Sequence, residues 1–192
     1  MKAVIISLHD RPERLSSTLE TCKKAGITKP YIFDAYDTRN SGIEHKGFNI
    51  TRGAIGCTLS HIGVLKMALA MKWSSVLVLE DDINYLGGDW QGIIKTAPAD
   101  AEVLNFGWKF WNGTQKTIVN DDWQICQSIW GSQANMYTTP EAMKKVIRFF
   151  DNWRALQYDG VTQEQMLKGN LKMYHSRKVI FTQNNFPTDI QK

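Results

Sequence analysis

The segment Ser74-Ser75-Val76-Leu77-Val78-Leu79-Glu80-Asp81-Asp82-Ile83 constrains the fold more than any other part of this chain. Val76 to Leu79 is a short apolar run, half of it β-branched, with the character of a strand buried on both faces. Such a strand needs cover above and below, as helices provide on a mostly parallel sheet. Glu80, Asp81 and Asp82 then stand at the carboxyl end of that strand, where ligands gather in open α/β sheets. Asp is also favoured at helix caps and turns, so these acids read either as a capped, solvated corner or as a site for a hard divalent cation such as Mn²⁺ or Mg²⁺.

The rest of the chain agrees with α/β order. Ala3 to Leu8 reads as a first strand. A helix follows, with Pro12 at its start and Gly26 at its stop. Tyr31 to Phe33 is a second strand, and Ile55, Leu59, Ile62, Leu65 and Leu69 recur at helical spacing along one buried stripe. Further on, the spacing predicts a strand over 101–107, a hairpin about Asn120-Asp121, and a strand running into a helix capped by Thr139 with Pro140 at its first position. Thr162-x-x-Gln165 has the spacing of a capping box, which would start a helix there and leave Asp159 in the preceding loop. The C-terminal third is less regular and is expected to wrap the sheet edge.

At 192 residues, 43% hydrophobic and 22% charged, the chain is expected to form one ordered domain. Residues 1–107 and 108–192 are expected to form two parts of that domain. A formal charge of +4 from scattered Lys and Arg fits attraction to phosphate and forms no stripe for nucleic acid. Cys22, Cys57 and Cys126 have no metal-ligand spacing, which suggests reduced thiols and a cytoplasmic setting. The opening apolar run is too short for a signal sequence, and no segment is expected to span a bilayer.

Upstream of the acids, Gly53 and Gly56 each cost about 1 kcal/mol in a helix interior, so close approach of a ligand or of another backbone is expected there. Cys57 and His61 share a helical face, but two groups on one helix lack a third metal ligand. A small polar face of Cys57, Ser60 and His61 toward a bound molecule is the alternative. Trp108, Phe110 and Trp111, with Trp130, read as a sugar-binding platform or as core.

"RGAIGCTLSH" followed by "VLVLEDDI" resembles the paired signature of glycosyltransferase family 25. "VIISLHDRPERL" is similar to that family's first strand and Arg-rich turn, with Ser7 where Asn is usual. "GSQANMYTTPEAMKKVI" and "FTQNNFPTDI" are similar to its later segments. The resemblance implies a GT-A fold and a metal-dependent, inverting transfer of a hexose from a nucleotide sugar to a hydroxyl acceptor: a saccharide, a lipooligosaccharide, a protein or a modified nucleic acid. It implies Asp82 as the main ligand of Mn²⁺ or Mg²⁺, with His175 as a further ligand or a structural residue. Glu80, Asp81, Ser7, Arg11, Arg14, Gly56, Cys57, Ser60 and His61 would lie toward the nucleotide sugar. Asp159 is the expected base and Glu164 its competitor, with Asp189 and Asp151 next. An enzyme of that kind is expected in the cytoplasm, at the inner face of a membrane or in a phage-infected cell. A nucleotidyltransferase is the rival enzyme class, though "SLHDRPERL" lacks the glycine of a triphosphate loop. A non-catalytic nucleotide- or carbohydrate-binding module is the third reading.

Overall fold

A computed structural model describes residues 1–38, 50–110, 114–151, 157–184 and 186. The elements are β1 (Lys2–Ser7), α1 (Pro12–Lys24), β2 (Tyr31–Asp34), α2 (Arg52–Ala70), β3 (Val76–Glu80), β4 (Ile83–Tyr85), α3 (Trp90–Ile94), β5 (Val103–Phe110), β6 (Lys116–Ile118), β7 (Trp123–Cys126), β8 (Ile129–Tyr137), α4 (Pro140–Phe149), α5 (Tyr158–Leu167), β9 (Met173–Ser176) and β10 (Phe181–Gln183). Eight strands form one sheet in the order β2-β1-β3-β8-β5-β9-β7-β6, and β4 pairs separately with β10. β1 is parallel to β2 and β3, and β5 is parallel to β9. β8 runs against β3 and β5, β7 against β9, and β6 against β7. Within the eight-stranded sheet all strands but β8 and β7 therefore point the same way, and the start of β8 meets the carboxyl ends of β1, β3 and β5 at one end of the sheet.

Alternation along the central strands fills both faces, as the apolar run in β3 requires. Val4, Val76, Val78, Val103 and Met173 point toward Ile62 and Leu65 of α2, Val146 of α4 and Val161 of α5. Ile5, Leu77, Leu79, Leu104 and Met136 point toward Cys22 of α1, Trp90 of α3 and Phe181 of β10. Local chemistry fixes the helix ends. Pro12 opens α1, and Gly26 takes φ +72° just past its close. Thr51 and Thr139 cap α2 and α4 by accepting from the Ala54 and Ala142 N–H groups.

One expectation needs correction. α5 starts at Tyr158, not Thr162, and Thr162 donates back to the Tyr158 carbonyl from inside the helix. Asp159 thus lies in the first turn, and Glu164 lies mid-helix. The 107/108 division falls inside β5. α2, at 19 residues with mean hydropathy 1.4, is long and apolar enough by composition to cross a membrane. Its Val64, Leu65 and Ala68 are spent on the sheet core.

Candidate active site

The acids at the end of β3 are divided among partners. Asp81 is buried and accepts from the Ser7 hydroxyl at 2.9 Å, with Arg14 2.6 Å away on its other oxygen. Burial raises its carboxyl pKa, and Arg14 acts against that shift. Arg14 also reaches Asp82, 3.3 Å from Oδ2. The second Asp82 oxygen, Oδ1, is buried without a hydrogen-bond partner. Burial, then the neighbouring Glu80 charge, pushes the Asp82 carboxyl up to about 7. A carboxylate held dry beside two other acids is an arrangement a hard cation relieves, so Asp82 fits the ligand role. Lys109, at the end of β5, lowers the Asp82 pKa. Sequence reasoning missed it, because nothing local to residue 109 shows that β5 ends facing β3 across β8.

Glu80 meets His61 across the gap between β3 and α2, with Nε2 3.1 Å from Oε1. The His61 ring stacks on Tyr158 at a centroid distance of 4.3 Å. Cys57, one turn earlier, lies with His61 and Glu80 so that their ligand atoms are all within 4.8 Å of one another. Burial raises the Cys57 thiol well above its ordinary pKa, and the charges of Glu80, Asp159, Asp82 and Asp81 raise it further. The charges of all four acids thus reach Cys57.

Asp159 enters from α5. Its Oδ2 accepts from the Gly131 N–H at 3.1 Å and its Oδ1 from the Gly160 N–H at 2.9 Å. Gly131 holds φ +111°, which only glycine adopts easily, and the buried Asn105 amide donates to its carbonyl at 3.1 Å. Burial raises the Asp159 carboxyl against these backbone donors. Beyond the ends of β1 and β2 lies a cleft of about 190 Å³ lined by Leu8, His9, Asp10, Asp34, Ala35 and Asp37. It was not read from the sequence, since it exists only where the two loops face each other. Arg11 is the N-cap residue of α1, in the turn after β1.

Other expected residues are not brought to this end of the sheet. His175 lies on β9, in register through Asn105 and Asn135 with Val78. Those three strand steps of about 4.8 Å place it roughly 14 Å along the sheet from β3, too far to share an ion with Asp82. Burial lowers its pKa to about 3, so it is a neutral core histidine. Glu164 is half-buried, its side chain reaching solvent, and pairs with Lys168 one turn on. Trp108 is buried, its indole N–H donating to the Ser176 carbonyl at 2.9 Å, and belongs to the core. Trp130 is exposed beside Gly131. Asp151 is exposed as well. The Phe110 side chain, Trp111 and Asp189 lie outside the described residues.

Gly56 and Ser60 serve the chain itself rather than a ligand. A Cβ on Gly56 would stand 2.5 Å from the Tyr36 carbonyl oxygen and 2.7 Å from Thr38 Oγ1. Ser60 accepts from the Tyr36 N–H at 2.9 Å and donates to the Gly56 carbonyl at 2.7 Å. Together they dock the segment after β2 onto α2. Gly56→Val is therefore expected to lower the unfolding free energy by about 2–3 kcal/mol, read from the urea midpoint. Unchanged stability with weakened ligand binding would return Gly56 to the binding site.

Residues 1–162 match the family described as "Glycosyltransferase family 25 (LPS biosynthesis protein)". The chain is similar to the "Inactive glycosyltransferase 25 family member 3" of Homo sapiens, at 28% identity over 120 residues, 54% of this chain and 20% of the relative. The mouse protein of the same name is 30% identical over 97 residues, 42% of this chain and 16% of the relative. The chain thus spans about a fifth of the length of the curated relatives it matches. In fold it is similar to a glycosyltransferase involved in glycosylation of the major capsid of PBCV-1, with TM-score 0.54, 12% identity, and 97% and 95% of the two chains covered. It is similar to the same degree to the galactosyltransferase LgtC in complex with donor and acceptor sugar analogs, with TM-score 0.54, 9% identity, and coverage of 97% and 88%. The fold is GT-A.

Proposed function

The chain belongs to glycosyltransferase family 25, and from that premise we propose that it transfers a hexose from a nucleotide sugar, best met by a UDP-sugar, to a hydroxyl acceptor with inversion, using a divalent cation at Asp82. The observation that carries this reading is the buried, partnerless Asp82 oxygen among acids at the end of the sheet, with Asp159 held by backbone N–H groups nearby. Asp82 would hold Mn²⁺ or Mg²⁺, which would supply positive charge to the diphosphate of the leaving group.

The protein residues then have separate tasks. Ser7 and Arg14 fix Asp81, and this holds the turn that presents Asp82. The cleft beyond β1 and β2 takes the nucleoside end, its carboxylates offering acceptors to ribose hydroxyls. Lys109 adds positive charge on the leaving-group side. Asp159 takes the proton of the acceptor hydroxyl, its burial raising its basicity above that of an exposed carboxylate. Trp130, exposed next to Gly131, offers an apolar face to an acceptor sugar. Acceptors in keeping with this site are a saccharide, a lipooligosaccharide or another hydroxyl-bearing biopolymer, and a cytoplasmic setting goes with a nucleotide-sugar donor.

The curated relatives are named inactive, which gives a binding-only reading its one support. The acid set and the backbone-held Asp159 weigh against it here. Nucleotide release from a panel of nucleotide sugars decides between them. Release with Mn²⁺ that stops in excess chelator is the expected result. Donor binding without release from any donor would overturn the enzymatic reading.

A further inference from the structure

Two side chains one turn apart on α2 could not make a metal site by themselves, but the fold supplies a third from another element. Glu80, at the end of β3, puts Oε1 3.1 Å from the His61 Nε2, and the Cys57 sulfur completes a group whose ligand atoms lie within 4.8 Å of one another. Tetrahedral zinc, with Zn–N and Zn–O bonds of about 2.0–2.2 Å and Zn–S of about 2.3 Å, holds its ligand atoms roughly 3.3–3.7 Å apart. The His61–Glu80 distance is already within a few tenths of an ångström of that. The Cys57 sulfur needs at most about one ångström of closure, within reach of a side-chain rotation.

We infer that Cys57, His61 and Glu80 form a cation site of their own, distinct from the oxygen ligands at Asp82, which takes a thiophilic divalent ion of the Zn²⁺ type. A thiol, an imidazole and one carboxylate select Zn²⁺ over Mg²⁺ or Mn²⁺, which favour carboxylate, carbonyl and water oxygens. Binding replaces the His61–Glu80 hydrogen bond with two metal bonds, the imidazole proton moving from Nε2 to Nδ1 so that Nε2 offers its lone pair to the ion. The Cys57 proton passes to solvent, so a neutral thiol becomes a thiolate ligand. The setting favours a cation, since Glu80, Asp81, Asp82 and Asp159 all act on Cys57. Cys57 and Glu80 are half-buried rather than sealed in the core. The stacked Tyr158 ring sets the His61 ring plane, as outer groups do at built metal sites. The inference does not depend on sugar transfer.

Co²⁺, a spectroscopic stand-in for zinc, tests this on the whole chain. One equivalent should give a near-ultraviolet thiolate-to-cobalt absorption that Zn²⁺ abolishes and excess Mg²⁺ leaves alone. Cys57→Ser should remove the band, and His61→Gln should weaken Co²⁺ binding by more than about 10-fold. Asp82→Asn should keep both band and stoichiometry. Far-ultraviolet circular dichroism shows whether each variant is folded. Cys57→Ala offers a second thiol-free form should the serine variant misfold. Absence of a thiolate band in folded wild type overturns the site, as does a band that survives in both Cys57 variants or is lost in Asp82→Asn. A failed transfer assay with the band intact would count against the proposed function and leave this site standing.

Discussion

Asp82→Asn is expected to abolish Mn²⁺-dependent nucleotide release and, unusually for a change at a buried charge, to leave the metal-free protein at least as stable as wild type. The two effects have one cause. Burial and Glu80 hold the Asp82 carboxyl at about 7. Its folded pKa therefore exceeds the unfolded value, and the protonated form is the one folding favours. The sign follows from linkage: no penalty exists below the unfolded pKa near 4, and a penalty grows as pH rises through 7. At pH 8 the ionised group costs on the order of 1–4 kcal/mol, which asparagine removes and a bound cation offsets. Wild type should therefore gain thermal stability from Mn²⁺ at pH 8, while the variant should start higher and gain little. A variant that retains full activity, or that melts well below wild type in chelator, would remove Asp82 from the cation site.

Asp159→Asn should show the second large effect, a fall in kcat of about 10² to 10⁴ with donor affinity nearly unchanged. An amide oxygen can still accept from the Gly131 N–H, so the turn should survive, and what is lost is the ability to take a proton. Because burial raises the Asp159 pKa, the wild-type rate should fall with acid at a pH above the ordinary aspartate range. Activity is present above the raised pKa and is lost as pH drops through it. That acid limb should be missing from whatever rate the variant keeps. Glu164→Gln should be near normal, since Glu164 points to solvent and Lys168. A dead Glu164→Gln with an active Asp159→Asn would reverse the assignment.

What could be read in the sequence is what short-range chemistry decides. The apolar run of β3 required cover on both faces, and the caps at Thr139 and Pro140 and the hairpin at Asn120 are local signals that the fold obeys. The start of α5 is not local. Tyr158 is anchored by a hydroxyl contact with Tyr137 and by stacking on Phe150 and His61, and these contacts pull the helix start four residues ahead of the Thr162 signal. The sheet order was equally hidden. β8 inserts between β3 and β5, and this carries Gly131 to Asp159 while leaving His175 strands away from Asp82. Gly56 misled for the same reason: a glycine marks close approach, and only the fold shows that the neighbour is the Tyr36 carbonyl. Cys57 and His61 lacked a third ligand in sequence because Glu80 is brought to them by the packing of α2 on β3.

Donor turnover followed by proton NMR shows whether Asp82 and Asp159 form a sugar-transfer site. An α-linked UDP-hexose should be consumed only with divalent cation. The first product, on an acceptor saccharide or on water, should carry the opposite, β anomeric configuration. Consumption with retained configuration would contradict the role of Asp159 as base. No consumption of any donor that the folded, Mn²⁺-loaded protein binds would contradict the account as a whole.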